Sequence, residues 1–204
     1  MGYQAREGSH EFNLKGMHSM EIRDWKKKGT TERGSFKIFS VDEVIFENPH
    51  DGREIETFLI RSNDWVNIIA ETTTGEVVLI RQFRFGSNKV ELEIPGGIIE
   101  SGEEPSVAAE RELHEETGYK GESTKLIGKV NPNPAIHRHS CYTFLIDNAK
   151  KLGEPEFDGP NERVSSCTVS PRQAFKHIHD GIITHSLVIN AFFFYFHEKG
   201  YFPV

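Results

Sequence analysis

One stretch of this 204-residue chain constrains it more than any other. Gly97 is followed by Glu103 and then by Arg111-Glu112-Leu113-His114-Glu115-Glu116-Thr117-Gly118-Tyr119. Glu103 and Glu104 precede Pro105, a favoured first-turn residue, and Gly118 is a natural stop, so the spacing predicts a helix between them. On such a helix Glu112, Glu115 and Glu116 stand three and four residues apart and project from one face. Like charges so placed cost a few tenths of a kcal/mol per pair unless a cation sits among them. Carboxylate oxygens suit Mg²⁺ or Mn²⁺ rather than zinc, which favours His and Cys. Three glutamates alone also read as a solvated acidic face, so the flanking Gly, Glu and Arg must decide.

The sequence around this helix is rich in strand signals. From Ser35 to Val90 short apolar and polar runs alternate, broken by Asn48-Pro49-His50-Asp51-Gly52. Trp65 to Glu71 and Glu76 to Phe85 read as a hairpin around Thr74-Gly75, with β-branched Val77, Val78 and Ile80 in its second arm. Val90 to Ile94 is a further strand, and Pro95-Gly96-Gly97 is expected to leave the sheet. Strands are expected near Lys125 to Val130, Cys141 to Asp147 and Val164 to Val169. Ser170-Pro171 opens a short helix, and a last helix spans about Thr184 to Lys199. The expected architecture is α/β (α+β): a mixed sheet with helices packed on it. Residues 1–19 are expected to be tag sequence or a loose arm, residues 20–60 an N-terminal β segment, and residues 61–204 the main domain.

Composition narrows the partners. With 24 basic against 31 acidic residues the net charge is −7, which disfavours long nucleic acid and polybasic membrane binding. No run approaches the roughly 20 apolar residues of a membrane span, and no apolar signal region opens the chain, so a soluble, cytoplasmic protein is expected. Cys141 and Cys167 read as free thiols in the core. An anionic ligand must therefore be met by a metal or a few arginines.

Gly97, Glu103, Arg111, Glu112, Glu115, Glu116 and Gly118 fall where the Nudix hydrolase box requires them, so the segment Gly97 to Tyr119 resembles a complete box. Tyr119, where the family usually carries an aliphatic residue, is the one soft departure. The resemblance implies the family's mixed β-sheet sandwich between helices. It also implies metal binding by Glu112, Glu115 and Glu116, completed by the Gly96 carbonyl, and a supporting ion pair between Glu103 and Arg111. Divalent ions there would cancel phosphate charge and activate a water.

Outside the box, Arg81-Gln82-Phe83-Arg84 and Glu91-Leu92-Glu93-Ile94-Pro95-Gly96-Gly97 resemble the ADP-ribose and nucleoside diphosphate sugar pyrophosphatase branch, with Pro134 as a weaker marker. Substrate contacts are expected from Arg84, Arg81 and Glu93. Arg81 and Arg84 are three apart on a strand and face opposite ways, which favours Arg84 for the diphosphate. The family's downstream catalytic glutamate has its candidate in Glu162, with Glu156 and Asp158 nearby, and Glu115 is the rival base. His114 is expected to be a surface or packing residue. Phe36, Phe39 and Phe46 could stack on a base, but are more at home in an interface, and relatives imply a homodimer. The expected reaction is Mg²⁺-dependent cleavage of a substrate such as ADP-ribose to a nucleoside monophosphate and a sugar phosphate. Hydrolysis of a nucleoside triphosphate or other nucleotide, and a non-catalytic nucleotide sensor, are the alternatives.

Overall fold

The computed structural model describes residues 22–157 and 163–201. The chain divides into two units: one runs up to Ser62 and includes Ala135–Arg138, the other takes Asn63–Pro134 and the chain from His139 onward. Residues 1–19 lie outside the described residues.

The first unit is an antiparallel meander of β1 (Lys26–Ser35), β2 (Ser40–Glu47) and β3 (Glu54–Arg61), in the order β1-β2-β3. β1 carries the sequence KKKGTTERGS, without apolar alternation, and exists because β2 offers it a ladder from Lys26↔Glu47 to Ser35↔Ser40, whose register shifts between Lys27 and Gly29 and between Glu32 and Gly34. Asp42 holds the sheet to the 135–138 segment: it accepts from Arg61 Nε at 3.0 Å and from Arg138 Nη1 at 3.1 Å.

The second unit starts with β4 (Trp65–Thr72) and β5 (Val77–Arg84). These strands meet at Glu71 and Val77 and then part. β4 goes on to pair in parallel with β10 (Cys141–Lys151), which carries β9 (Ser123–Val130) and β8 (Tyr119–Lys120) antiparallel. β5 takes β6 (Lys89–Glu93) on one side and β11 (Val164–Val169) on the other, both antiparallel. The expected hairpin is thus a corner from which two groups of strands diverge.

Pro95-Gly96-Gly97 corrects one expectation. The chain does leave β5 and β6 there, yet Gly96–Ile98 is itself a strand, β7, antiparallel to β4 with Gly96 opposite Asn67 and Gly97 opposite Val66. The crossing is fixed by the Ile68 N–H, which donates to the Pro95 carbonyl at 2.9 Å.

Strand alternation places side chains on two faces. Val66, Ile68 and Ala70 of β4, with Phe144 and Ile146 of β10, pack with Ala108, Ala109 and Leu113 of α1 (Pro105–Thr117). Ile69 and Leu145 cluster instead with Ala174 of α2 (Pro171–His179) and with Val188, Ala191, Phe192 and Tyr195 of α3 (Ser186–Glu198). Each large apolar side chain so buried contributes about 1.5–3 kcal/mol. The mixed sheet lies between helices, as the sequence predicts. Among the described residues no helix is long and apolar enough to cross a membrane. Cys141 is buried, but Cys167 is exposed on β11, which corrects the expectation that both belong to the core.

Candidate active site

Glu104 precedes α1 in an extended conformation, and Pro105 begins the helix where its missing N–H has no partner to lose. The helix ends at Gly118, whose φ of 72° is left-handed and whose N–H donates to the His114 carbonyl at 2.7 Å. A Cβ at Gly118 would run into the Gly153 carbonyl. The backbone beyond β10 is tied to this helix end: Leu152 N–H donates to the Gly118 carbonyl at 2.9 Å and Glu156 N–H to that of Glu115 at 2.8 Å.

Arg111 organises the carboxylates. Its Nε and Nη2 donate to the two oxygens of Glu103 at 2.9 and 3.0 Å, a forked pair that fixes the loop before the helix. Nη2 also reaches the Ile98 carbonyl at 3.2 Å, at the end of β7. Nη1 donates to Glu112 Oε1 and to Glu115 Oε2, both at 2.9 Å. The hydrogen bond to Glu103, with Glu112 and Glu115 beside it, raises the guanidinium further above its ordinary value despite partial burial. Glu103 is held below the usual carboxylate range, chiefly by its hydrogen bond to Arg111.

Glu116 is buried, 3% exposed, and its Oε2 accepts from the Gly96 N–H at 2.9 Å. Gly97 has no room for a side chain, because a Cβ there would overlap the carboxylate of Glu112. β7 and α1 are therefore locked at Gly96, Gly97 and Ile98, the three positions that touch Glu116, Glu112 and Arg111. Four glutamates against one arginine give this group a formal charge of −3. Its donor atoms are carboxylate oxygens, the hard ligands that Mg²⁺ and Mn²⁺ prefer. Among the described residues no three carboxylate, imidazole or thiol groups converge into a closed metal cage; Arg111 Nη1 bridges Glu112 and Glu115. The residues fit a divalent ion by donor type and by the space that Gly97 leaves for Glu112.

The other expected site residues fall into two groups. Arg84 and Glu93 meet directly: Arg84 Nε and Nη2 donate to Glu93 Oε1 and Oε2 at 2.9 and 2.8 Å. Glu93 is 2% exposed. Burial alone would push its carboxyl up, but His185 and Arg84 outweigh that and hold it down at about 2. Arg81 is on the opposite, exposed side of β5, as the strand period requires. Glu93 and Gly96 are three positions apart in the chain, a span of at most about 11 Å. Glu162 and Asp158 lie outside the described residues. His114 points away from the array, with Nε2 at 4.0 Å from Glu156 Oε1. His185, 3.2 Å from Glu93, is the group that reading the sequence missed. It stands 92 positions downstream of its partner, and no local spacing marks it.

Sheet, helices and carboxylate array together define a class. A crystal structure described as an ADP compounds hydrolase superposes with a TM-score of 0.78, covering 91% of this chain and all of that one at 21% identity, and so shares the fold. The NUDIX domain model matches residues 61–189, more than half of the sequence, and the chain belongs to that family. Among curated relatives, the ADP-ribose pyrophosphatase of Bacillus subtilis (strain 168) is 29% identical over 67% of this chain and 72% of its own length. The methanol dehydrogenase activator of Bacillus methanolicus is 32% identical over 57% of this chain and 65% of its own, just under two thirds of that relative.

Proposed function

We propose that this protein is a divalent-metal-dependent pyrophosphohydrolase that cleaves the diphosphate of a nucleoside diphosphate sugar such as ADP-ribose, releasing a nucleoside monophosphate and a sugar phosphate. The observation that carries this reading is the joint made by Arg111, Glu112, Glu115 and Glu116 of α1 with Gly96 to Ile98 of β7. Glu112, Glu115 and Glu116, with the Gly96 carbonyl, would hold Mg²⁺ or Mn²⁺. Bound there, the ion would supply charge cancellation on phosphate oxygens and a more acidic water. Arg111 and Glu103 orient the carboxylates. Glu162 is our first candidate for the base that takes the water's proton, and Glu115 the second.

Arg84 receives the diphosphate. Glu93, buried beneath it, acts through Arg84 by fixing its fork, while Arg81, on the opposite face of β5, is left out of that contact. Support for a nucleoside diphosphate substrate comes from the Bacillus subtilis relative and from the Arg84 and Glu93 pair, which lies a few residues from the metal-side glycines. A homodimer is part of the proposal: Phe36, Ile38 and Phe58 of the first unit are 59%, 63% and 55% exposed, an apolar surface suited to a second copy. The free thiols Cys141 and Cys167 fit a reducing compartment such as the cytoplasm.

The test is chromatographic product analysis with ADP-ribose, ADP-glucose, GDP-mannose, NAD and ATP in Mg²⁺ or Mn²⁺. The proposal expects diphosphate sugars to yield a nucleoside monophosphate and a sugar phosphate, ahead of ATP. Preferential turnover of ATP would move the assignment to a nucleoside triphosphate hydrolase. Tight binding without turnover of any of the five would make it a sensor.

A further inference from the structure

The two successive glycines of β7 make room for polar side chains on opposite faces of the sheet. At Gly97 the room is taken by the Glu112 carboxylate, from the α1 side. At Gly96 a Cβ would overlap the Val66 carbonyl and come to 3.0 Å from Asn67 Oδ1. Asn67 lies opposite Gly96 in the β4–β7 ladder and opposite Thr143 in the β4–β10 ladder. It alternates with Val66 and Ile68, which pack toward α1, so its side chain is on the α3 side. There it is 7% exposed, and its Nδ2 donates to the Leu187 carbonyl in the first turn of α3 at 3.0 Å. The same layer holds Ile69 and Val188, so an amide in it carries a desolvation cost that an apolar side chain would not. Further along, α3 is tied to β4 a second time, by Tyr195 Oη donating to Glu71 Oε2 at 2.6 Å. Of these two ties, the one at Asn67 also bears on β7.

Building on the function proposed above, we propose that Asn67 is a positioning residue: its buried amide seats Gly96, whose carbonyl is assigned to the metal, against the start of α3. Gly96 is held from the α1 side by its N–H, which donates to Glu116 Oε2, and from the α3 side by the Asn67 amide. The start of α3 in turn stands beside the arginine cluster, since His185 precedes the helix and lies 3.2 Å from Glu93. Asn67 thus joins the strand of the metal side to the helix of the diphosphate side. A leucine of similar shape would keep the packing of the layer, but would lose both the bond to Leu187 and the amide oxygen beside Gly96. β7 would then be fixed from the α1 side alone. Groups that orient metal ligands typically change affinity by about 10–100-fold when removed. Asn67 acts through backbone contact, so the lower end of that range applies.

The experiment titrates Mn²⁺ by calorimetry, without substrate, into wild type, Asn67→Leu and Tyr195→Phe. Thermal melting and ADP-ribose turnover across a Mg²⁺ series are measured on each. Tyr195→Phe cuts the second tie of α3 to β4 without touching β7, and so reports what loosening the helix does by itself. Asn67→Leu should bind Mn²⁺ about tenfold more weakly than wild type, and should need correspondingly more Mg²⁺ to reach half-maximal turnover. Tyr195→Phe should melt below wild type yet match it in Mn²⁺ affinity and in Mg²⁺ response. Wild-type Mn²⁺ affinity in a folded Asn67→Leu overturns the proposal. Equal losses of affinity in the two variants also overturn it, because a general loosening of α3 would then be the cause. If Asn67→Leu does not fold, Asn67→Val carries the same comparison. Wild type that neither binds Mn²⁺ nor cleaves ADP-ribose overturns the functional reading and this proposal together. An active, metal-binding wild type with an unchanged Asn67→Leu overturns this proposal alone.

Discussion

At the scale of single residues, each carboxylate is set by its neighbours. Glu116 is the most buried of the box glutamates and accepts the Gly96 backbone N–H. Replacing it by Gln keeps the shape and removes the charge, so Glu116→Gln should fold normally and lose at least about 100-fold in kcat. A melting temperature near that of wild type together with kcat near that of wild type would contradict its role. Glu93 gives a stability prediction of the opposite kind. Its pKa is lowered in the folded chain, so its stabilisation is fully present above the ordinary value of 4.5 and is lost as pH falls toward about 2. Glu93→Ala removes the buried partner of Arg84, which is itself partly exposed to water, and should cost about 1–2 kcal/mol at neutral pH, read by urea unfolding. That penalty should shrink as the pH is lowered below 4.

At the scale of elements, the decisive contact is β7 against α1. Gly97→Ala would push a methyl into the Glu112 carboxylate, and the expected outcome is a large loss of activity with little change in secondary structure by circular dichroism. Gly118→Ala would strain the left-handed helix end as well as meeting Gly153, and should cost more than about 1 kcal/mol in thermal unfolding. The helices were legible in the sequence because their signals are local. Pro105, Gly118 and the Ser170 and Gln173 capping box, present in full, each act within a turn or so of themselves. β11 was legible through its own apolar pattern and lies at Val164–Val169 as expected. β7 and β8 were not, because each is made by a partner strand far away in sequence: Trp65–Asn67 for β7 and the end of β10 for β8. His185 escaped for the same reason.

At the scale of the whole molecule, the mixed sheet serves as a rigid support with apolar clusters on both faces. α1 and β7 deliver the carboxylate array, while β5, β6 and the start of α3 deliver Arg84, Glu93 and His185. The carboxylate array was readable in advance because one helix carries nearly all of it. The arginine cluster was readable only in part because three separate elements build it. The exposed Phe36, Ile38 and Phe58 predict self-association: light scattering should give twice the 23.2 kDa chain mass, and Phe36→Ser with Phe58→Ser should shift it toward one. A monomer in the wild type would remove the homodimer from the account. The measurement closest to the central claim is the turnover of ADP-ribose across a Mg²⁺ titration by wild type and Glu116→Gln, with products resolved by chromatography. The account predicts AMP and ribose 5-phosphate in equal amounts from wild type, rising with Mg²⁺, and almost none from a folded Glu116→Gln. Equal turnover by the two proteins, or turnover indifferent to Mg²⁺, would contradict it.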